Sequence, residues 1–165
     1  MAHTLTDPAS HTLPAMGSVE ASVTVDATVH DTERLWYDTT AWDGWVDGLE
    51  HVLAVEPSWP AVGSSVSWES GPAGRGHVTE RVVAYAPLEG QSLDVTDDTI
   101  EGRQGVAFTP VDGGTEVALS LEYRIRKRSI FTPLIDALFV RNAWNTSLRS
   151  TLARFAAELD HKAVK

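Results

Sequence analysis

The chain has 165 residues, which is enough for one domain with a good core and too short for two independent ones. Its net charge of −10 argues against nucleic acid, whose phosphates require a basic face, and against an anionic membrane surface. Because cysteine is absent, a disulfide framework and a thiolate nucleophile are excluded, and the cytoplasm is the expected compartment.

The N-terminal segment, residues 1–17, has no apolar core of the kind found in signal peptides, so we predict a disordered leader there. The chain contains no apolar run long enough to span a bilayer, so we expect no integral membrane association. One folded domain is therefore expected over residues 18–162.

Alternating apolar and polar residues over 19–28 predict a first strand with one buried face. Asp31 is then expected to cap a short helix that reaches Asp38. A second short helix should carry Trp42 and Trp45 and end near the next glycine. Both tryptophans lie near turn glycines, so the pattern fits pocket lining as well as core.

Short apolar segments separated by turn-forming residues predict six further strands, which would make an antiparallel meander. They cover residues 50–56, 64–69, 76–85, 92–96, 99–109 and 115–126. Thr132 and Pro133 can begin a final helix that no glycine or proline interrupts before residue 162. A sheet with one free face and one long helix to cover it should curl around that helix.

One face of the final helix is apolar at both ends and polar in the middle. Its members are Leu134, Leu138, Arg141, Asn145, Leu148, Leu152, Phe155 and Leu159. An unpartnered buried polar group costs about 1–3 kcal/mol, so a helix that only closed a core would not carry one there. The pattern suggests a cavity bordered by Leu138, Arg141, Asn142 and Asn145. Arg141 extending to solvent and Asn145 bonded to nearby backbone would also explain it.

Strand parity predicts which other side chains face the interior. They are Val62, Val66 and Trp68 in the third strand, Gln104 and Phe108 in the sixth, and Tyr123 in the seventh. Each of them fits either core or pocket wall. Tyr123 would bring a hydroxyl group into the interior and Gln104 an amide.

The strand over residues 76–85 is ambiguous, because both of its faces carry apolar residues. One register directs Glu80 inward, and the other directs His77 and Arg81 inward. A desolvated Glu80 would have a raised pKa and could act as a general base that enolises a ketone. His77 and Arg81 would instead offer an imidazole and a fixed cation to an anionic or carbonyl substrate.

Motifs for other chemistry are weak. The histidines show no paired spacing for a metal, and the glycine-rich segment 71–76 lacks the Lys-Ser/Thr pair of a phosphate-binding loop. We predict that this segment is a hairpin loop at the rim of the cavity. Neither a metal nor a cofactor is expected.

Five stretches carry a family resemblance: Val25-Asp26-Ala27, Asp31-Thr32-Glu33-Arg34-Leu35-Trp36, Trp42-Asp43-Gly44-Trp45-Val46, Val62-Gly63, and the helix from Ser147-Leu148-Arg149 to Leu159. Together they resemble the START-like superfamily, also called SRPBCC or helix-grip, and its bacterial polyketide cyclase/dehydrase branch. The resemblance spans roughly residues 19–159 and rests on loose hydrophobic patterns. It departs from the family at Val29-His30, where proline is common.

This resemblance implies an α+β helix-grip fold, in which a curved seven-stranded antiparallel sheet wraps a long C-terminal helix and two short helices follow the first strand. It also implies a deep apolar cavity of the kind used for lipids, aromatic polyketides, quinones or hormones. The expected partner is a small hydrophobic ligand.

Three functions remain open at this point. A polyketide cyclase or dehydratase would fold its substrate in the cavity and move a proton with Glu80 or His77. A lipid or quinone carrier would need only an apolar lining. An interaction module would have a filled core and an exposed apolar patch. The sequence specifies neither the ligand nor the oligomeric state.

Overall fold

The computed structural model describes residues 16–126 and 133–163. Seven strands form one antiparallel sheet: β1 (Met16–Val25), β2 (Leu49–Val55), β3 (Ser65–Ser70), β4 (His77–Ala86), β5 (Gly90–Thr96), β6 (Ile100–Val111) and β7 (Gly114–Ile125). The helices are α1 (Val29–Tyr37), α2 (Trp42–Trp45) and α3 (Pro133–Ala163), with a 3₁₀ turn at Thr39–Ala41. This arrangement confirms the predicted α+β helix-grip fold.

The strand order across the sheet is β1-β7-β6-β5-β4-β3-β2. Strands β2 to β6 each pair with the next strand in sequence, and β1 closes the far side by pairing with β7. The segment containing α1 and α2 therefore crosses from one edge strand to the other. The helix α3 contacts both β1 and α2, so the core lies between α3 and the inner face of the sheet.

The start of α1 differs from the prediction, because Thr28 rather than Asp31 is the N-cap. The Thr28 Oγ1 atom accepts a hydrogen bond from the backbone N–H of Asp31 at 3.1 Å. Asp31 lies in the first turn, where a carboxylate is favoured by the partial positive charge of the helix start.

The two ends of the chain bear on earlier predictions. The strand β1 begins at Met16, so residues 16–17 belong to the sheet rather than to the predicted leader. Residues 1–15 lie outside the described residues, as does the predicted cap at Thr132. The disordered leader therefore stays a prediction.

The buried face of α3 is not the predicted one. Arg141 and Asn142 are exposed, Leu138 is 55% exposed, and Asn145 is half-buried. The predicted orientation toward the interior is therefore wrong for Leu138, Arg141 and Asn142, although Leu138 and Arg141 line, with Tyr123, an open depression of about 350 Å³ beside β1. The residues that do pack inward are Trp144, Leu148, Leu152, Phe155 and Leu159.

The error has a simple geometric cause. Positions three and four residues before Leu148 lie on the same side of a helix, so both Asn145 and Trp144 fit the stripe. The larger apolar side chain, Trp144, takes the buried position, and the half-buried Val140 continues that row. Leu134 lies outside the residues whose side chains are described.

The strand β4 adopts the first of the two predicted registers. Glu80 is buried between Val78 and Val82, whereas His77 and Arg81 are exposed, so their predicted inward orientation is wrong. A β-bulge between Val82 and Ala84 shifts the alternation, and this explains why both faces carry apolar residues.

Most of the other predicted inner positions are confirmed. Val66, Trp68, Phe108 and Tyr123 are all buried. Val62 is exposed and precedes β3 in a loop, so its inward orientation is wrong.

Candidate functional site

The centre of the core is a cluster of aromatic rings. The rings of Trp36 and Trp45 lie 4.9 Å apart, and Phe155 of α3 lies 5.0 Å from Trp36 and 4.9 Å from Trp45. The indole N–H of Trp42 donates to the Trp36 carbonyl at 2.8 Å. Trp42 and Trp45 are thus buried parts of the core, and both also border an internal cavity.

This cavity lies between the aromatic cluster, the sheet and α3, and its volume is about 50 Å³. Because one water occupies roughly 30 Å³ of liquid, the space is suited to one or two waters. The polar residues that line it are Asp47, Arg75, Glu80, Gln91, Gln104, Ser147 and Thr151. The cavity is therefore smaller and more polar than the resemblance implied.

Glu80 of β4 is the buried acid of this site, with 6% of its surface exposed. Burial raises the pKa of its carboxyl group, while the nearby Arg75 and a hydrogen bond from Trp68 oppose that increase. The bond from Trp68 Nε1 to Glu80 Oε1 is long, at 3.4 Å. A carboxyl group with a raised pKa is suited to both giving and taking a proton.

Arg75 is the half-buried cation of the same site, and it comes from the glycine-rich loop between β3 and β4. Its guanidinium carbon lies 4.3 Å from the ring centre of Trp144 and 5.0 Å from that of Trp68. Its Nε donates to Asp97 Oδ2 at 2.8 Å. Its Nη2 is buried and has no hydrogen-bond partner in the part of the chain that the structure describes. One donor of the cation therefore remains available.

Asp97 holds Arg75 in place from the turn between β5 and β6. The carboxylate is fully buried, and its Oδ1 accepts from the backbone N–H groups of Thr99 at 2.7 Å and Ile100 at 2.8 Å. Arg126 donates to the Asp97 carbonyl at 2.7 Å. With both carboxylate oxygens engaged, Asp97 can fix Arg75 without moving.

Sequence reasoning missed Arg75 and Asp97, because they were assigned only to a hairpin loop and to a turn. The two segments pack closely: a Cβ atom added to Gly76, whose φ is +71°, would lie 2.1 Å from a carboxylate oxygen of Asp98. Glycine is thus needed where the loop meets the turn. The glycine content of the loop is a signal for such close packing, but it does not identify the partner.

Gln91 of β5 provides a second polar group, 5% exposed, at the other end of the cavity. Its Nε2 donates to the Pro60 carbonyl at 3.1 Å. Its Oε1 is buried and accepts no hydrogen bond from any described residue. Gln104, predicted to face inward, is half-buried and also borders the cavity.

The remaining predicted site residues lie elsewhere. The ring centres of Phe108 and Trp36 lie 6.1 Å apart. Tyr123 is buried, and burial raises the pKa of its hydroxyl group, while the charge of Arg141 opposes that increase. Neither borders the 50 Å³ cavity. His77 and Arg81 lie on the exposed face of β4, so they are not brought together with Glu80.

A larger depression, of about 800 Å³, lies on the outer face of the sheet. Small residues such as Ala107 and Ala118 line it, and the acids at its border, Glu20, Glu89 and Glu116, are exposed or half-exposed. Since these groups are solvated, the depression lacks a buried acid of the kind that Glu80 provides inside. We therefore place the candidate site in the interior.

Two other features are absent from the described ranges. No group of three His, Asp or Glu side chains there is arranged to hold a metal ion. Nor does either described range contain a helix that is both long and apolar enough to cross a bilayer.

Known structures share this fold at low sequence identity. The Zhui aromatase/cyclase from Streptomyces sp. R1128 is 16% identical, with a TM-score of 0.74 over 90% of this chain and 96% of that one. One protein of unknown function from Staphylococcus aureus is 10% identical, with a TM-score of 0.75 over 92% of this chain and 98% of that one. Norcoclaurine synthase from Thalictrum flavum, in complex with dopamine and hydroxybenzaldehyde, is 10% identical. Its TM-score is 0.66, over 98% of this chain and 97% of that one.

Similarities at this level of identity establish the fold and not the activity. No curated protein matched the chain significantly. A family model described as polyketide cyclase / dehydrase and lipid transport matches residues 16–160, which is most of the chain. The chain therefore belongs to the polyketide cyclase/dehydrase and lipid transport family.

Proposed function

We propose that this protein binds a small aromatic ketone in the cavity beneath α3 and catalyses its cyclisation or dehydration, with Glu80 as the acid-base group. The observation that carries the proposal is a buried acid, Glu80, with the half-buried cation Arg75 near it, both lining one cavity. The family, and a structural neighbour named as an aromatase/cyclase, support the same class of reaction.

The energetics of burial favour a functional role for this pair. Ionised groups lose several kcal/mol of solvation in a protein interior, and apolar residues of similar volume often give equal or greater stability. Here Glu80 is surrounded by Val78, Val82 and Trp68, where leucine or methionine would pack without that cost. An unpartnered donor on Arg75 adds to the cost. A bound carbonyl oxygen would remove it.

The proposed chemistry divides the work between the two residues. The Glu80 carboxylate takes a proton from the carbon next to a substrate carbonyl. The electron pair of that C–H bond forms a C=C bond, and the π pair of the carbonyl moves onto its oxygen. Arg75 Nη2 donates a hydrogen bond to this developing negative charge. The resulting enolate carbon attacks a second carbonyl of the same molecule, and Glu80 returns its proton to the new alkoxide. For dehydration, the Glu80 carboxylate takes the second proton from the same carbon, and the electron pair of that C–H bond forms a C=C bond. The C–O bond to the new hydroxyl then breaks, and Glu80 gives its proton to that hydroxyl, which leaves as water.

The size of the cavity places a condition on this reaction. A molecule with several rings is much larger than 50 Å³, so its binding must displace side chains that line the space. The ligand would then select a more open arrangement, and its affinity would be reduced by the cost of that opening. Because Trp36, Trp42, Trp45 and Trp144 border the cavity, binding should change the tryptophan fluorescence.

The direct test uses an aryl 1,3,5-triketone, whose aldol cyclisation to a phenol is followed by absorbance. Glu80→Gln keeps the side-chain shape and removes the acid-base group, so turnover should fall at least about 100-fold with binding retained. Glu69→Gln, on the exposed face of β3, is the matched control and should behave as wild type. If Glu80→Gln turned the substrate over at the wild-type rate, Glu80 would not be the acid-base group.

An interaction module is the second candidate, because the interior is nearly filled and α3 exposes Leu138 and Phe139, the latter at 75%. Such a protein would bind a macromolecule through an exposed apolar patch. A thermal-shift screen of aromatic ketones separates the two candidates, because a ligand that prefers the folded state raises the melting temperature. A screen without any stabilising compound would favour the interaction module.

A further inference from the structure

The internal cavity has polar groups at two separate ends. On β5, the inward-facing residues are Gln91, Leu93 and Val95. Val95 lies directly opposite Glu80 in the pairing of β4 with β5, so Glu80 and Gln91 are four residues apart along the strand direction. At 3.3 Å per residue this is roughly 13 Å between backbones. The apolar Leu93 lies between the two ends.

The orientation of the Gln91 amide follows from its one hydrogen bond. The Pro60 carbonyl can only accept, so the Gln91 nitrogen must face it, and the amide oxygen must face away from it. That oxygen is buried without a partner among the described residues. A buried acceptor in this position is suited to a hydroxyl or N–H donor.

The other end of the cavity has the opposite character. Arg75 Nη2 is a buried donor without a described partner, and it lies beside Glu80. Because Arg75 is already paired with Asp97 at 2.8 Å, a neutral carbonyl oxygen suits Nη2 better than a full anion does. The residue that carries this donor and the residue that carries the acceptor thus both line the cavity, on parts of the fold well separated along the strand direction.

We infer that the cavity selects a hydroxylated aromatic ketone, whose carbonyl binds Arg75 and whose hydroxyl at the far end donates to Gln91 Oε1. This inference rests on the proposed function and assigns Gln91 as a residue that determines specificity. The apolar rings of the ligand would lie between the two ends, against Leu93 and the tryptophan cluster.

Three matched fluorescent probes test the inference: 2-acetylanthracene and its 6-hydroxy and 6-methoxy derivatives. The dissociation constant of each is measured by fluorescence titration. The 6-hydroxy compound should bind the wild-type protein roughly tenfold more tightly than the other two, because only it can donate to Gln91. In Gln91→Met this preference should disappear, while the affinity for 2-acetylanthracene should change little.

Gln104→Met is the matched control, since Gln104 also borders the cavity but has no unpartnered buried atom of this kind. The preference for the hydroxyl group should persist in that variant. Equal binding of all three probes to the wild-type protein would overturn the inference and leave the proposed function standing. Binding of none of them would overturn both. The probe series on the wild-type protein decides the question even if Gln91→Met fails to fold.

Discussion

Glu80→Gln should change how the stability of the protein depends on pH. Burial raises the pKa of the Glu80 carboxyl group above its ordinary value of 4.5. The folded state therefore holds this proton at a pH where the unfolded chain has already released it. Stability contributed by the protonated group is fully present below pH 4.5 and is lost as the pH rises through the folded-state pKa.

The size of the effect follows from one proton. Between pH 4.5 and the folded-state pKa, the folded state binds about one more proton than the unfolded state at this site. The free energy of unfolding should therefore fall by up to about 1.4 kcal/mol per pH unit. Glutamine cannot titrate, so the stability of Glu80→Gln relative to wild type should rise over this range and then become constant. The pH at which it becomes constant gives the folded-state pKa of Glu80.

The measurement is urea denaturation of wild type and variant at half-unit steps from pH 4 to pH 8. Glu69→Gln, whose carboxyl group is exposed on the neighbouring strand, is the control and should show a nearly constant difference from wild type. If the free energy of unfolding of Glu80→Gln also differed from that of wild type by a constant amount at every pH, Arg75 and Trp68 would fully offset the effect of burial on the pKa of Glu80. The argument for a proton held in the cavity would then fail.

Three further predictions concern the ion pair, the buried face of α3 and the cap of α1, and denaturant titration measures each one. Arg75→Met should destabilise the fold by about 3–5 kcal/mol, since it leaves the Asp97 carboxylate buried without its charge partner, and adding Asp97→Asn should recover part of the loss. A double variant no more stable than the single one would contradict this. Trp144→Ala should lower the free energy of unfolding by about 3–5 kcal/mol and Asn142→Ala by less than about 0.5 kcal/mol. If Asn142→Ala were the more destabilising variant, the polar side chains of α3, and not Trp144, would face the core. Thr28→Ala should cost about 1 kcal/mol, and an unchanged midpoint would contradict its role as the cap of α1.

The parts of the fold that could be predicted depend on local periodicity. The strand β7 alternates without interruption from Val117 to Ile125, and its inner face matched the prediction. In β4 the bulge after Val82 breaks the alternation, so the sequence could not choose between the two registers. On α3, which of Trp144 and Asn145 is buried depends on where the sheet lies relative to the helix. The helical period alone does not specify that position.

The candidate site was less predictable, because its main interactions join distant parts of the chain. Glu80 was found as one of two alternatives, since strand parity alone can place it inside. Arg75 and Asp97 lie 22 positions apart in two turns, and they meet only after β4 has paired with both β3 and β5. Sequence periodicity describes single elements, so it carries no signal for an ion pair formed between the ends of different hairpins.

The arrangement of these three charges explains why Glu80, rather than Asp97, is the candidate acid-base group. Asp97 receives two backbone N–H groups and the Nε of Arg75, all within 2.8 Å. These three donors engage both carboxylate oxygens, so Asp97 is suited to hold Arg75 in place rather than to contact a substrate. From the described residues, Glu80 receives only the long bond from Trp68, and Arg75 is held by its bond to Asp97. Arg75, the cation that would favour an ionised Glu80, is hydrogen-bonded to Asp97. Burial is therefore the larger influence on the pKa of Glu80.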